Sequence, residues 1–225
     1  ATVVEKRVLR FAAEITDNVA VSSVKISIFA DKNSDNMFTD DEVVSRMMLT
    51  HPPYEGSMML DTIDAYLDGS SEGIAQMPLQ LEFRALDGAG NESDESRPVT
   101  LIRNQPPQIN QIQILDAQGF NMGGNISELT EGRQIVVNVI ASDPESGVDD
   151  VSLFKAIGET VTQDDFKPVG KDTSAPFQFH MTVPVGYAGS QMAFKAGATD
   201  VDGYASVAGL IKTVTIVKDK PPTAQ

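Results

Sequence analysis

Leu79-Gln-Leu-Glu-Phe-Arg-Ala-Leu-Asp87-Gly-Ala-Gly90-Asn91 alternates apolar and polar residues from Leu79 to Ala85 and then breaks into a cluster of turn residues. A period of two is the mark of a strand with one buried face. The pattern returns in Met192-Ala-Phe-Lys-Ala-Gly-Ala-Thr-Asp200-Val-Asp-Gly203, with Asp200 and Gly203 each 113 positions after Asp87 and Gly90. Both copies run on through a short strand, Pro98-Val-Thr-Leu-Ile-Arg103 or Val214-Thr-Ile-Val217, into Pro-Pro, at Pro106-Pro107 and Pro221-Pro222. Upstream, Glu14-Ile-Thr-Asp17-Asn-Val-Ala-Val21-Ser-Ser-Val24 matches Ala141-Ser-Asp143-Pro-Glu-Ser-Gly-Val148-Asp-Asp-Val151, and Pro53-Tyr54 matches Pro176-Phe177. Landmarks repeated in the same order make this a tandem duplication of a unit of about 110 residues with altered loop lengths.

The same alternation appears in Val24-Lys-Ile26-Ser-Ile28, Phe177-Gln-Phe179 and Val214-Thr-Ile216. Gly, Asp, Asn and Pro clusters separate the runs. The best helical candidate is short, Thr62 to Leu67 with Thr62 as N-cap. Some seven short strands in ~100 residues predict an all-β protein of two tandem immunoglobulin-like β-sandwich domains. The boundaries read as domain 1 over 1–104, a Pro-Pro linker over 105–107, domain 2 over 108–219, and the start of a further linker over 220–225. Proline fixes φ and removes a donor, so Pro106-Pro107 should end a strand and stiffen the connection into an extended rod. The second repeat has an extra strand, Gln108 to Leu115, before Glu131-Gly-Arg-Gln-Ile-Val-Val, whereas the first starts almost directly in the equivalent of the latter. With no initiator Met and no signal-like apolar region, the sequence reads as an excised or processed piece, cut inside or just before that strand.

Composition narrows the function. Seventeen Lys and Arg against 32 Asp and Glu give a net charge of −15. Nucleic acid and anionic membrane surfaces both require clustered cations, so neither is a partner, and no apolar run reaches the ~18–20 residues of a membrane span. Cysteine is absent, which removes disulfides, thiolate metal sites and cysteine nucleophiles. Two histidines, His51 and His180, leave little for imidazole catalysis.

The residues Thr16-Asp17-Asn18-Val-Ala-Val-Ser-Ser-Val24, Ala85-Leu-Asp87-Gly-Ala-Gly90-Asn91 and Pro106-Pro107 resemble the tandem immunoglobulin-like and cadherin-like repeats of large bacterial secreted or surface adhesins. So do Leu129-Thr-Glu131-Gly132, Ser142-Asp143-Pro-Glu145, Ala198-Thr-Asp200-Val-Asp202-Gly203 and Pro221-Pro222 in the second repeat. The resemblance covers nearly the whole chain. It implies a non-catalytic extracellular module, often calcium-stabilised, of a cell-adhesion or bacterial surface protein.

Asp31-Lys-Asn33-Ser-Asp35-Asn36-Met37-Phe38-Thr39-Asp40-Asp41-Glu42 has the spacing of a twelve-residue calcium loop. Such loops present oxygens at positions 1, 3, 5, 7, 9 and 12. Those positions are Asp31, Asn33, Asp35, the Met37 carbonyl, Thr39 (directly or through water) and Glu42, with Phe38 as an apolar tether. The usual glycine at position 6 is Asn36, the next best residue at positive φ. The loop follows a strand rather than a helix. The competing reading is an acidic, solvated hairpin loop. A second calcium site is expected where the loops after two neighbouring strands meet, from Asp143, Glu145, Asp200 and Asp202, with Asn104 contributing from the linker. It would resemble the junctional calcium of cadherins, without their full linker motif. Asp17, Asn18, Asp87 and Asn91 form the poorer counterpart in the first repeat. The alternative is that these residues merely cap turns.

Paired carboxylates such as Asp61, Asp64 and Asp68, or Asp40, Asp41 and Glu42, raise the question of glycoside hydrolysis. All lie in turn-rich acidic segments of a chain where chance pairs abound, and neither histidine has a recognisable partner, so the chain reads as no enzyme. The methionines Met37, Met47, Met48, Met58, Met59 and Met77 read as core filling in a Trp-free domain. Asn91-Glu-Ser93 and Asn125-Ile-Ser127 match glycosylation acceptors only weakly. The reading is a monomeric, calcium-stabilised spacer whose partners are neighbouring repeats and a cell-surface glycan or protein ligand. The alternative is an accessory ligand- or carbohydrate-binding module of a secreted polysaccharide-active enzyme.

Overall fold

A computed structural model describes residues 1–18, 20–67, 73–120, 126–206 and 209–220. The chain divides into two compact units, Ala1–Asn104 and Gln105–Gln225.

Unit 1 contains β1 (Thr2–Val4), β2 (Val8–Ala13), β3 (Val21–Ala30), β4 (Val43–Leu49), β5 (Tyr54–Met59), the short helix α1 (Ile63–Tyr66), β6 (Gln76–Asp87) and β7 (Glu92–Ile102). One sheet has the order β1-β7-β6-β3-β4 and the other pairs β2 with β5. Unit 2 contains β8 (Gln108–Asp116), β9 (Glu128–Thr130), β10 (Gln134–Ser142), β11 (Val148–Gly158), β12 (Lys167–Asp172), β13 (Phe177–Thr182), β14 (Gln191–Asp200) and β15 (Ile211–Val217). Its sheets are ordered β12-β11-β14-β15-β9 and β13-β10-β8. The two orders superimpose strand for strand, except that β8 has no counterpart in unit 1 among the described residues. The chain switches sheets between β10 and β11, and again between β12 and β13. Each unit is therefore an immunoglobulin-like β-sandwich, and the protein is all-β apart from single helical turns.

Alternation builds each core. Val24, Ile26, Ile28 and Ala30 are fully buried along β3, and Phe194, Ala196, Ala198 and Asp200 along β14. They meet Leu79 and Leu101 in unit 1, and Val137, Leu153 and Ile216 in unit 2. Each of the large apolar side chains among them contributes about 1.5–3 kcal/mol by leaving water, the alanines less. The duplication reaches local irregularities: the register slips between Val21 and Ser23 in β3 and between Val148 and Asp150 in β11. The expectation for methionine holds in part. Met58 and Met77 are buried, but Met37, Met48 and Met59 are exposed, because Met48 and Met59 fall on outward positions of their strands and Met37 on a loop.

A further correspondence between the units lies in the turn that precedes β2 and β10. Val4-Glu5-Lys6-Arg7 and Thr130-Glu131-Gly132-Arg133 form the same turn. Lys6 and Gly132 both take positive φ, 59° and 73°. Their N–H groups donate to the Leu60 and Val183 carbonyls at 3.0 and 2.9 Å. The Glu131 Oε1 accepts the backbone N–H groups of Gly186, Tyr187 and Ala188 at 2.7, 2.8 and 2.9 Å. Glu5, 3% exposed, accepts the N–H of Ile63 at the start of α1 at 3.0 Å and that of Asn104 at 3.2 Å. In each unit one glutamate thus satisfies the backbone of the crossover that follows β5 or β13.

Candidate metal centre

The loop between β3 and β4 carries the candidate site. Its frame is common to both units. Thr39 and Glu42 form a capping box around the 3-10 turn Asp40–Glu42, and Thr162 and Asp165 form one around Gln163–Asp165. Unit 2 connects β11 to its turn in four residues, Glu159 to Thr162, whereas unit 1 uses nine, Asp31 to Thr39. The added length holds Asn33, Asp35 and Asn36.

The structure brings Asp31, Asp35 and Glu42 together, with one carboxylate oxygen of each within 4.8 Å of the others. Among the described residues this is the one group of three or more potential ligands so arranged. Asp31 is 2% exposed and Glu42 3%, while Asp35 faces solvent. Backbone donors hold the carboxylates. Asp31 Oδ1 and Oδ2 accept the N–H groups of Asp35 (3.0 Å) and Asn36 (3.1 Å). Glu42 Oε1 accepts from Lys32 N (3.1 Å), and Oε2 from Thr39 N (3.0 Å) and Thr39 Oγ1 (3.3 Å). Asp35 Oδ1 accepts from Met37 N at 2.8 Å. Asn33 joins through Nδ2, which donates to Asp35 Oδ2 at 3.1 Å. Asn36 has φ +61°, as its position requires, and Ser34 shares that value. Phe38 is half-buried beside Pro78, Leu79, Pro98 and Val99. The Lys32 ammonium turns away to the Asp41 carbonyl (2.7 Å), and Arg46 pairs with Asp40 (2.8 Å). No lysine or arginine among the described residues pairs with Asp31, Asp35 or Glu42. Most carboxylate oxygens accept a single hydrogen bond, which leaves lone pairs for a hard cation.

The second constellation assembles differently. Ser146 Oγ lies 3.1 Å from Asp143 Oδ2 and 3.0 Å from Asp200 Oδ2, so its single proton is shared between these two carboxylates. Glu145 and Asp202 do not complete a cluster with them. Asp143 Oδ1 instead accepts the N–H groups of Glu145 and Ser146, and Asp200 Oδ1 those of Asp202 and Tyr204. Asn104, 4% exposed, is tied to unit 1 through Glu5. In unit 1, Asp17 Oδ2 accepts Ala20 N at 2.9 Å. Asp87 accepts Ala89 N, Asn91 N and Asn91 Nδ2 at 2.7–2.8 Å. These bonds, the Asn91 side chain foremost, hold the Asp87 carboxyl below its ordinary value. The turn-capping role accounts for the backbone N–H groups accepted by Asp17, Asp87, Asp143 and Asp200.

The remaining acidic pairs are structural. Asp64 receives Arg103 at 2.6 and 3.1 Å, and Asp61 Oδ1 caps Thr62 N at 2.8 Å. Asp68 and Asn125 lie outside the described residues. His51 Nδ1 is 2.9 Å from Thr50 Oγ1, and His180 points to solvent from β13. No helix among the described residues is long and apolar enough to cross a membrane.

No family model and no curated protein match the chain. Solved structures similar to it include the fibronectin(III)-like modules of Clostridium thermocellum CbhA, at 14% identity over 100% of this chain and 94% of that one, TM-score 0.37. The FN1–FN3 domains of chicken CNTN1 match at 8% identity over 96% of this chain and 65% of theirs, TM-score 0.36. Immunoglobulin domains 1–4 of Sidekick-1 match at 9% identity over 99% and 46%, TM-score 0.36.

Proposed function

We propose that the chain is a non-catalytic structural module of a secreted or surface protein of the adhesin type, and that its first domain is stabilised by calcium. The observation that carries the calcium reading is the pair of buried carboxylates, Asp31 and Glu42, converging with Asp35 where no cationic side chain neutralises them. Asp31, Asp35 and Glu42 hold the ion, Asn33 and Thr39 sit at the intervening ligand positions, and the Met37 carbonyl supplies the position between. When bound, the ion neutralises the loop and fixes the connection between β3 and β4. A spacer role is supported by two units of the same fold, each with its own core, and by acidic side chains whose contacts are structural. The carbohydrate-binding alternative has little support: the exposed large aromatics among the described residues are Phe120 and Tyr187, in separate loops rather than on one sheet face. Asp143 and Asp200, already joined by Ser146, make the weaker cation site. Calorimetric titration of the 225-residue chain with calcium, and then with magnesium, tests the proposal. One calcium-selective event is expected. No heat with calcium, or equal response to both ions, returns the loop to a solvated acidic hairpin.

A further inference from the structure

The tip of the β3–β4 loop is held by its own side chains. Asp35 N donates to Asp31 Oδ1 and Asn33 Oδ1 at 3.0 and 2.9 Å, Asn36 N to Asp31 Oδ2 at 3.1 Å, and Met37 N to Asp35 Oδ1 at 2.8 Å. The flanking backbone-to-backbone bonds lie outside the tip. Asp31 N donates to the Pro78 carbonyl at 3.2 Å, and Glu42 N to the Thr39 carbonyl at 3.0 Å. Every residue from Asn33 to Met37 is exposed, whereas Asp31 before them and Glu42 beyond them are buried. The tip therefore has firm anchors and no packing of its own.

Two features oppose its arrangement. Ser34 and Asn36 both take φ +61°. Left-handed backbone crowds the Cβ of an L-residue, which asparagine tolerates better than serine. Only Lys6 joins them at positive φ among the described non-glycine residues. The same arrangement draws Asp35 to Asp31 and Glu42, and three carboxylate oxygens within 4.8 Å of one another repel. Unit 2 connects β11 to its capping-box turn through Glu159–Thr162 with no residue at positive φ. The strain is thus no requirement of the fold and belongs to the residues added in unit 1.

We infer, resting on the calcium site proposed above, that Lys32–Met37 is a calcium-dependent switch, which orders only as the ion draws Asp31, Asp35 and Glu42 together. Ser34 and Asn36, which offer no oxygen to the ion in the loop pattern, disfavour the ordered form and so set the affinity. Where ordering and binding are one step, the apparent affinity is the intrinsic affinity reduced by the fraction of loops already ordered. Exposed segments with few contacts of their own are the ones that order and disorder independently of the core.

Calcium titration of the 225-residue chain and of two variants, Ser34→Gly and Asn36→Gly, tests the switch, together with urea unfolding in chelator. Glycine takes positive φ without strain but gives a disordered loop more freedom. Net of that, Ser34→Gly should tighten calcium binding about three- to tenfold, and Asn36→Gly about twofold. The urea midpoint in chelator should not move, because the loop is not ordered there. Hydrogen exchange should be fast at the Asp35, Asn36 and Met37 amides in chelator and slow in calcium. A loop ordered without the ion gives the opposite result: glycine raises the midpoint in chelator and leaves the affinity unchanged. That outcome, or equal protection of the three amides in chelator and calcium, overturns the switch and leaves the calcium site standing. Failure of the wild-type chain to bind calcium removes both.

Discussion

Asp31 and Glu42 each cap backbone N–H groups as well as belonging to the proposed calcium site, so truncating either would remove two things at once. Asp35 separates them. It is exposed, and its loss as a charge disturbs only bonds that water can replace. Asp35→Asn should leave stability in chelator within about 0.5 kcal/mol of wild type while weakening calcium binding about tenfold, or about 1.4 kcal/mol. Calorimetry and urea unfolding on the same variant check both halves, and unchanged calcium affinity would remove Asp35 from the site. The glutamates of the repeated turn make a contrasting pair. Glu5 is buried, so Glu5→Ala strands the Ile63 and Asn104 N–H groups away from water at a cost of about 1.5–3 kcal/mol. Glu131 serves three amides but is only half-buried, and solvent can replace it, so Glu131→Ala should cost nearer 1 kcal/mol. Urea midpoints giving the reverse order would mean that the number of amides, not their burial, sets the energy.

At the scale of elements, strands and duplication were legible because alternation and turn clusters are local signals that survive loop changes. The convergence of Asp31, Asp35 and Glu42 was legible as spacing, since oxygen-bearing side chains at every second residue are a pattern in one short segment. The loops at Asp143 and Asp200 were not, because convergence depends on where lone pairs point, and residue type does not record that Asp200 spends one oxygen on Asp202 N and Tyr204 N. The glutamate turn is masked in the sequence although Glu-x-Arg recurs at Glu5-Lys-Arg7 and Glu131-Gly-Arg133, because the positive-φ residue between them differs, Lys6 against Gly132. Turn geometry also predicts pH behaviour. The Asp87 carboxyl is held low by the Asn91 side chain and then by backbone donors, and Asp165 by the Thr162 N–H and then its hydroxyl. A folded pKa below the unfolded value, ordinarily about 3.9, stabilises above that value and is lost as pH falls through the folded pKa. Asn91→Ala should therefore raise the Asp87 titration midpoint toward the ordinary value and leave Asp165 unmoved. Carboxyl NMR titration reads both, and a static Asp87 would contradict the assigned cause.

For the whole molecule, a net charge of −15 opposes compaction, most where carboxylates crowd without a cation. Calcium bound only by the folded state offsets this through mass action. Sites in extracellular modules have dissociation constants of about 10⁻⁴–10⁻³ M. Free calcium at ten to a hundred times that constant stabilises by about 1.4–2.7 kcal/mol for one site. For a domain of this size the melting temperature should rise by roughly 5–15 °C. Because the triad of Asp31, Asp35 and Glu42 lies wholly within unit 1, the gain should fall on the unfolding of that unit, while unit 2, with Asp143 and Asp200 already bridged by Ser146, responds little. Magnesium should do less, since it demands a tight octahedron and gives up water reluctantly. Calorimetric scans at constant ionic strength, in calcium, magnesium or chelator, distinguish the cases when repeated on Asp35→Asn. A calcium shift that shrinks in the variant by about 1 kcal/mol at the same free calcium, as a tenfold weaker site requires, assigns it to the β3–β4 loop. Equal shifts with both ions would reduce the effect to charge screening, and an undiminished shift in Asp35→Asn would move the ion to the Asp143 and Asp200 loops.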